Sequence, residues 1–243
     1  MPTLLVVGAT SDIARATALV FGENGWDLIL AGRDMERITT IAADLSFMLD
    51  REVSFHHYDV LNEPERLNLW DSLQKKPDAV LLAVGLLGDQ EQARFDPELA
   101  TKIMTVNFTG LVSLITQVAN FFEARGSGSL IGISSVAGDR GRGSNFTYGA
   151  AKAGLTAYLS GLRNKLFSKG VHVLTVKPGF VKTAMTKDMK LPFLLTATPE
   201  QVAKSIYKGV KNRKNVIYTR WYWKWIMFIV KAIPEFIFKR LSM

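Results

Sequence analysis

Cysteine is absent from the 243-residue sequence, and histidine occurs only three times. The lack of cysteine excludes disulfides, thiolate metal sites and cysteine nucleophiles, and it is consistent with a reducing, cytoplasmic location. Because His56, His57 and His172 are few and scattered, we expect packing or surface roles for them and predict no metal site. The first apolar run has no basic region before it and stops at Gly8, so it predicts a buried strand rather than a secretory signal.

Acidic residues are scarce only towards the end of the chain. Residues 1–199 contain 20 basic and 20 acidic residues, whereas residues 200–243 contain ten basic and two acidic ones. The whole net charge of +8 therefore lies in the last part of the sequence. A basic tail on a neutral domain favours an anionic surface as partner over a nucleic-acid groove, and we expect no nucleic acid to bind.

Short apolar, β-branched runs alternate with longer amphipathic stretches along the chain. This alternation predicts one α/β domain: a doubly wound, Rossmann-type parallel sheet with helices on both faces. In such sheets ligands bind beyond the carboxyl ends of the strands. The predicted domain covers residues 1–219, and residues 220–243 form a separate basic, aromatic segment. The predicted strands are 3–8, 27–32, 53–60, 78–85, 129–136, 171–177 and 215–219, and the predicted helices are 12–24, 34–49, 63–75, 97–124, 145–168 and 199–211.

A tight turn of small residues joins the first predicted strand to the first helix. Backbone N–H groups and the positive end of the helix at such a turn suit a pyrophosphate. Only Gly8 matches a glycine of the G-x-G-x-x-G fingerprint, because Asp12 and Ala14 stand where later glycines are usual. We expect Asp12 to cap the helix. The predicted contacts are Gly8, Thr10, Ser11, Asp12 and Ile13.

The second predicted strand ends in Gly32, followed directly by Arg33. An acidic residue at this place would bind a ribose 2′-hydroxyl, whereas an arginine suits a 2′-phosphate. The pair therefore favours NADP(H) as the cofactor. The alternative is that Arg33 is a solvated loop residue.

Tyr148 and Lys152 lie four residues apart near the start of a predicted helix. This spacing places the phenol and the ammonium on one helix face. A phenol with a pKa of about 10 transfers protons poorly at neutral pH, and a neighbouring ammonium is expected to lower that pKa and favour acid–base catalysis. Two serines, Ser134 and Ser135, end the fifth predicted strand, either beside Tyr148 or as turn and capping residues.

Seven motifs follow one another along nearly the whole chain: residues 8–14, 59–60, 83–85, 106–108, Ser135, Tyr148 with Lys152, and residues 178–179 followed by Thr183. In order and spacing they resemble the motifs of the short-chain dehydrogenase/reductase family. The resemblance implies a carbonyl reductase in which Tyr148 is the general acid, Lys152 lowers its pKa and holds the nicotinamide ribose, and Ser135 hydrogen-bonds the substrate oxygen. It also implies that Asn107 anchors a proton-relay water, that Asp59 and Val60 flank the adenine, and that Thr183 faces the carboxamide. Further implied cofactor contacts are Ala83, Gly85, Pro178, Gly179 and Val181. Ala83 replaces a common asparagine.

Three segments are similar to a subgroup of that family, the decaprenylphosphoryl-2-keto-ribose reductases. They are residues 86–90, residues 137–140 with Asn145 and Phe146, and residues 233–241. This similarity implies a ketone carried on a lipid, such as a keto-sugar on a polyprenyl phosphate. The alternatives are a long-chain 3-oxoacyl or sphingoid-type ketone reductase and a non-catalytic, NADP-binding regulatory protein.

Residues 221–241 combine tryptophan, phenylalanine and lysine, and the segment is too short and too charged for a comfortable transmembrane helix. On a helical wheel the basic strip of Arg220, Lys224, Lys231 and Lys239, with Glu235, faces away from the apolar side. This pattern favours a helix in the interface of a membrane, on its inner face. The alternative is packing on the domain or on a second subunit of a homo-oligomer. Pro234 is expected to bend or break the helix.

Two further features lie near the predicted catalytic residues. The apolar residues after Thr183, from Met185 to Leu195, predict a mobile substrate lid or an ordinary loop with a hydrophobic underside. Arg140 and Arg142 follow the catalytic strand in a glycine-rich loop. We hypothesise that they contact a substrate phosphate, the alternative being solvated loop charges.

Overall fold

The structure, a computed structural model, describes residues 1–189 and 191–241. Its centre is a seven-stranded parallel sheet in the order β3-β2-β1-β4-β5-β6-β9, which confirms the predicted fold class. A second, two-stranded sheet that the sequence did not predict joins β7 to β8. The strands are β1 Thr3–Val7, β2 Asp27–Gly32, β3 Val53–His57, β4 Ala79–Leu82, β5 Ser129–Ile133, β6 His172–Pro178, β7 Phe180–Val181, β8 Thr196–Ala197 and β9 Val216–Thr219.

Helices cover both faces of the large sheet. Alternate residues of β1 show why: Leu4 and Val6 pack into the core under the helices of one face, whereas Leu5 and Val7 pack into the core under the helices of the other face. A strand buried on both faces must be apolar throughout. The helices are α1 Asp12–Glu23, α2 Met35–Leu49, α3 Glu63–Ser72, α4 Gln90–Ala93, α5 Pro97–Asn107, α6 Val112–Arg125, α7 Phe146–Leu166, α8 Pro199–Lys211, α9 Tyr222–Ala232 and α10 Glu235–Phe238.

Three strands end three residues earlier than predicted, all at the same edge of the sheet. β3 ends at His57, β4 at Leu82 and β5 at Ile133. One more backbone hydrogen bond follows each strand, such as that from the Ala83 N–H to the Val7 carbonyl (2.8 Å), and the chain then leaves the sheet. The residues that follow these strands form walls of the site described below.

The helix predicted over residues 97–124 is broken into α5 and α6 by a 3₁₀ turn at Thr109–Leu111, with a bend of 41°. Gly110 lies in the break, where a Cβ atom would be 2.8 Å from the Val60 carbonyl oxygen. The chain can therefore pass this close to Val60 only with a glycine at this position. In the described part of the chain no single helix is long and apolar enough to cross a membrane, and the α5–α6 pair, which passes such a test only jointly, carries core residues such as Ile103 and Leu114.

The C-terminal segment folds as a helix, a break and a short helix, so the predicted break at Pro234 is confirmed. One face of α9 packs on the domain, where Trp223 and Met227 are buried beside Val136. For this face the alternative of packing on the domain is the correct one. The last two residues of the segment, 242–243, lie outside the described residues, and its division from the domain at residue 219 stays a prediction.

The opposite face of α9 is exposed, and it differs from the predicted one. The prediction of one continuous basic strip on this helix is wrong. Arg220 precedes α9 with a left-handed backbone (φ 62°), and Glu235 forms an ion pair with Arg140. Lys224 and Lys231 remain on the exposed face, together with apolar residues rather than opposite them. We define the tail surface as the exposed residues Trp221, Lys224, Trp225, Phe228, Ile229 and Lys231.

Candidate active site

The turn after β1 is built around Gly8, which has a left-handed backbone (φ +84°). A Cβ atom at this position would lie 2.8 Å from the Val84 N–H nitrogen, so no larger residue fits without a shift. The Ser11 hydroxyl caps α1 by accepting a hydrogen bond of 3.1 Å from the Ala14 N–H. The turn thus presents the start of a 12-residue helix to the cavity, as a pyrophosphate requires.

The expectation that Asp12 caps α1 is wrong, because Ser11 occupies that position. Asp12 is the first helical residue, and its carboxylate accepts a hydrogen bond of 2.8 Å from the Ala184 N–H. The carboxylate is therefore engaged by the segment after Thr183 and does not cap its own helix.

Arg33 and Arg37 follow β2, which lies three strands from β5 in the sheet. With Asp59 and Val60 they line the part of the cavity away from Tyr148. Asp34, which follows Arg33, caps α2 through a hydrogen bond from the Arg37 N–H (3.1 Å). Within residues 1–189 and 191–241, neither arginine forms an ion pair. Sequence reasoning missed Arg37, although its place in the first turn of the helix that follows Arg33 was a usable signal.

Tyr148 and Lys152 occupy successive turns of α7 and both line the cavity. The Lys152 ammonium is almost wholly buried, donates a hydrogen bond of 3.0 Å to the Ile133 carbonyl and lies 5.7 Å from the centre of the Tyr148 ring. The Ser134 hydroxyl is engaged by the Lys152 carbonyl (2.9 Å) and by Thr156. The Ser135 side chain is therefore the one available beside Tyr148.

The electrostatics of this pair differ from the sequence-based expectation. Burial raises the pKa of Tyr148 to about 12, and the Ser135 hydroxyl, which favours the ionised form, opposes this increase. Burial lowers the pKa of Lys152 to about 8. The pKa of Tyr148 is therefore raised rather than lowered as expected, because desolvation is the largest cause of its shift, and the Lys152 ammonium, which donates to the Ile133 carbonyl, is not among the causes. Tyr148 holds its proton at neutral pH and can act as an acid.

Among the predicted catalytic and cofactor-binding residues, Asn107 alone does not line the cavity. It is fully buried at the end of α5, where its side chain donates hydrogen bonds to the carbonyls of Leu86 (2.7 Å) and Ile103 (2.8 Å). It also accepts one from the Leu86 N–H (3.2 Å). Its side chain therefore fixes the loop after β4, and its role in a proton relay stays a prediction.

Gln90, which sequence reasoning did not single out as a site residue, fixes the start of the catalytic helix. Its amide oxygen accepts a hydrogen bond of 2.8 Å from the Thr147 N–H, and its amide nitrogen donates one of 3.0 Å to the Thr147 hydroxyl. Asn145, at the N-cap position of α7, makes no such side-chain bond. Gln90 thus positions the turn that carries Tyr148.

These residues enclose one cavity of about 560 Å³, a volume within the range of small-molecule and cofactor sites. It runs from the turn at Gly8 to Tyr148, so it joins the predicted pyrophosphate site to the predicted catalytic residues. The predicted site residues on its walls are Gly8, Thr10, Ser11, Asp12, Ile13, Arg33, Asp59, Val60, Ala83, Gly85, Ser135, Tyr148, Lys152, Pro178, Gly179, Val181 and Thr183. The structure brings them together, and their individual roles stay predictions.

The two loop arginines behave differently. Arg140 is engaged by the C-terminal segment: it donates hydrogen bonds to the carbonyls of Val230 and Ile233 (both 2.6 Å), pairs with Glu235 (2.9 Å) and lies over the Phe238 ring. The hypothesis that Arg140 contacts a substrate phosphate is therefore wrong. Arg142 lines the cavity.

The segment after Thr183 closes one side of the cavity with Met185 and Met189. It contains 3₁₀ turns at Ala184–Thr186 and Phe193–Leu195, and Lys190 lies outside the described residues. We call residues 183–195 the lid segment. Its contact with α9, through a hydrogen bond from the Trp223 indole to the Leu195 carbonyl (3.2 Å), joins it to the tail. Mobility of this segment stays a prediction.

Comparison with known proteins relates this chain to oxidoreductases. A family model described as short chain dehydrogenase matches residues 2–192. An uncharacterized oxidoreductase of Mycobacterium tuberculosis is 34% identical over 220 residues, covering 89% of this chain and 88% of that protein. An uncharacterized oxidoreductase of Streptomyces coelicolor is 34% identical over 242 residues, covering 98% and 95%.

Two further similarities extend the comparison. A 3-oxoacyl-[acyl-carrier-protein] reductase of Chlamydia trachomatis is 27% identical over 216 residues, covering 84% of this chain and 87% of that protein. The solved structure of a short-chain dehydrogenase from Sphingobium yanoikuyae, in complex with NADPH, has the same fold, with a TM-score of 0.82 at 23% identity and coverage of 97% of both chains.

Proposed function

Since this chain belongs to the short-chain dehydrogenase family, we propose that it uses NADPH to reduce a ketone to a secondary alcohol. Family membership and the predicted enzyme class, an NAD(P)-dependent oxidoreductase, are confirmed. The observation that carries the proposal is the single cavity that joins the glycine turn at Gly8 to the phenol of Tyr148 and the hydroxyl of Ser135.

The chemistry follows from the protonation and hydrogen bonding of the side chains at the Tyr148 end of the cavity. NADPH, when bound, supplies the hydride. Tyr148 supplies the proton to the carbonyl oxygen, because burial keeps its phenol protonated. Ser135 donates a hydrogen bond to the same oxygen, where negative charge develops. Lys152, fixed by the Ile133 carbonyl, would hold the nicotinamide ribose.

The positive charge of Arg33 and Arg37, at the end of the cavity away from Tyr148, supports NADPH rather than NADH as the cofactor. Arg33 and Arg37 lie there, and Asp34, the nearest carboxylate in sequence, is used to cap α2. Two guanidinium groups favour a 2′-phosphate, whereas no acidic residue follows β2 directly to bind a ribose hydroxyl pair. The Sphingobium yanoikuyae structure, which contains NADPH, gives independent support.

The substrate in this proposal is an amphipathic, lipid-linked ketone, such as a keto-sugar on a polyprenyl carrier. Support comes from the apolar wall formed by Met185 and Met189 and from the connection of the lid segment to α9. The similarity of residues 86–90, 137–140 and 233–241 to the keto-ribose reductase subgroup motivates the sugar. A long-chain 3-oxoacyl substrate is the second candidate, favoured by the similarity to the Chlamydia trachomatis reductase.

The enzyme meets this substrate at an anionic membrane through the tail surface. Trp221, Trp225, Phe228 and Ile229 are each more than half exposed, and Phe193 and Leu194 of the lid segment are 89% and 78% exposed. Lys224 and Lys231 flank them on α9. Exposed aromatic residues beside lysines are typical of helices that lie in a membrane interface. A second copy of this chain, forming a homo-oligomer, is the competing occupant.

Vesicle sedimentation tests the membrane part of the proposal. Wild-type protein is expected to sediment with vesicles that contain phosphatidylglycerol and less with vesicles of phosphatidylcholine alone. The double variant Trp225→Ser and Phe228→Ser is expected to stay in the supernatant, with unchanged reduction of a water-soluble ketone. If both proteins sediment equally, or if the double variant only converts an oligomer to a monomer in light scattering, the membrane role is rejected.

A direct spectrophotometric assay of NADPH oxidation tests the reaction itself. Oxidation of NADPH at 340 nm is expected with amphipathic ketones and is expected to fall by at least about 100-fold in Tyr148→Phe, which lacks the proton donor. Binding of NADPH should persist in this variant. If NADPH binds but no ketone is reduced, and Tyr148→Phe changes nothing, the protein is a cofactor-binding regulator instead.

A further inference from the structure

Arg142 lies in the wall of the catalytic cavity, seven residues after Ser135. Its side chain is half-buried between the loop after β5 and α9. One terminal nitrogen donates a hydrogen bond of 3.3 Å to the Val136 carbonyl and contacts the Met227 sulfur at 3.7 Å. These neutral acceptors hold the guanidinium in place but do not neutralise its charge.

No carboxylate in the described part of the chain forms an ion pair with Arg142. The nearest acidic residue in its loop, Asp139, is already used. One Asp139 oxygen pairs with the Lys177 ammonium, and the other accepts a hydrogen bond of 2.7 Å from the Tyr218 hydroxyl. Asp139 therefore stabilises Arg142 only at a distance.

Two polar atoms near this point are buried without a hydrogen-bond partner. One is the Arg142 Nε, a donor, and the other is the Asn145 Oδ1, an acceptor, and both residues line the cavity. Burial also lowers the pKa of Arg142, the expected effect of removing a cation from water. An unpaired, partly desolvated cation is costly unless a ligand supplies the opposite charge.

The cofactor does not account for this charge. Its phosphates belong at the turn of Gly8 and near Arg33 and Arg37, at the opposite end of the cavity from Tyr148. Arg140, the other loop arginine, is engaged by the C-terminal segment. Besides Lys152, which donates to the Ile133 carbonyl, and Lys102 on α5, Arg142 is the cation that lines the described cavity away from Arg33 and Arg37.

We infer that Arg142 binds an oxyanion of the substrate, a phosphoryl or carboxyl group on the same molecule as the ketone. A guanidinium forms charge-assisted hydrogen bonds with either group. This inference rests on the proposed ketone reduction and narrows its substrates to anionic ketones.

Matched ketones that differ only in charge test the inference. We would compare 2-oxoheptylphosphonate with its neutral dimethyl ester, and 3-oxooctanoate with its methyl ester, as substrates of the wild type. Loss of charge-assisted bonds in Arg142→Gln is expected to raise KM for the better anionic ketone by about 10- to 100-fold, with little change for the esters. Arg142→Lys is expected to restore part of the loss. Whichever acid shows the larger effect identifies the oxyanion.

The control is Arg94→Gln, which removes an exposed arginine from an ion pair with Glu91 of α4. Arg94 does not line the cavity. It is expected to behave as the wild type. Equal changes in KM for acids and esters in Arg142→Gln, or no change for either, would overturn the inference, because Arg142 would then only support the loop.

Calorimetric binding to the NADP⁺-saturated protein separates this inference from the proposed reaction. The phosphonate or the carboxylate should bind to the wild type and to Tyr148→Phe, and more weakly to Arg142→Gln. Absence of binding by both acids to the wild type, or equal binding to Arg142→Gln, contradicts the anion site. Binding without any reduction by the wild type contradicts the proposed reaction alone.

Discussion

The Asp12 carboxylate accepts a hydrogen bond of 2.8 Å from the Ala184 N–H, which joins the first turn of α1 to the lid segment. These residues are 172 positions apart in the sequence. Asp12 stands where the dinucleotide fingerprint usually has a glycine, and the structure gives this departure a role: it fixes the segment that carries Met185 and Met189 over the cavity.

Replacing Asp12 tests this connection. Asp12→Ala removes the acceptor and is expected to weaken NADPH binding by about 3- to 10-fold, as for one hydrogen bond of about 1 kcal/mol. Asp12→Asn keeps an acceptor oxygen and should have a smaller effect. Fluorescence titration with NADPH measures both. Equal affinity of the two variants and the wild type would show that the bond does not order the cavity.

The buried ammonium of Lys152 predicts an alkaline limit to the reaction. Its pKa is lowered to about 8, so it is charged below that pH and loses its proton as the pH rises through 8. The kcat/KM for ketone reduction in the free enzyme should therefore decrease above about pH 8. In Lys152→Arg the charge persists, and the decrease should move to higher pH.

The same pKa can be measured without catalysis. Carbon-13 methylation of lysines followed by an NMR titration, with Lys152→Arg to assign the signal, should show one lysine that titrates near pH 8. A normal lysine titration above pH 10 together with an unchanged pH profile of Lys152→Arg would contradict the assignment.

Arg33 and Arg37 predict the choice between the two nicotinamide cofactors. Arg33→Ala and Arg37→Ala are each expected to raise KM for NADPH by about 10-fold or more, because each removes a charge-assisted contact with the 2′-phosphate. KM for NADH should hardly change. Steady-state kinetics with both cofactors measure this ratio, and a parallel loss for NADH would mean that the arginines do not recognise the phosphate.

Gln90 predicts a positioning effect on Tyr148. Gln90→Ala removes both hydrogen bonds to Thr147 and is expected to lower kcat more than it changes KM, with a loss of about 1–2 kcal/mol in the free energy of unfolding. Gln90→Glu keeps the acceptor for the Thr147 N–H and should retain more activity. Denaturant unfolding and steady-state kinetics together separate this from a general loss of stability, in which kcat would not change below the unfolding transition.

The sequence allowed the sheet, the cofactor end and the catalytic pair to be predicted because these depend on local patterns. Parallel strands place their carboxyl ends at one edge, so Gly8, Ser135 and Tyr148 had to converge once the strands were recognised. The spacing of Tyr148 and Lys152 is likewise a property of one helix.

Features that depend on long-range contacts could not be predicted. The break before α6 lies where Gly110 approaches Val60, and Arg140 is held outside the cavity by contacts with residues 230–238. The direction of the Tyr148 pKa shift also required the structure, because the burial of the phenol and its hydrogen bond with Ser135 depend on how distant parts of the chain pack around it.

The most direct test of the central claim uses NADPH deuterated at the reactive position of the nicotinamide. A lipid extract from bacterial membranes would be incubated with this cofactor and either the wild type or Tyr148→Phe, then analysed by mass spectrometry. The account predicts that a lipid-linked ketone gains one deuterium and one proton with the wild type and is unchanged with Tyr148→Phe. Deuterium transfer that is equal with the two proteins, or no transfer to any ketone, would contradict it.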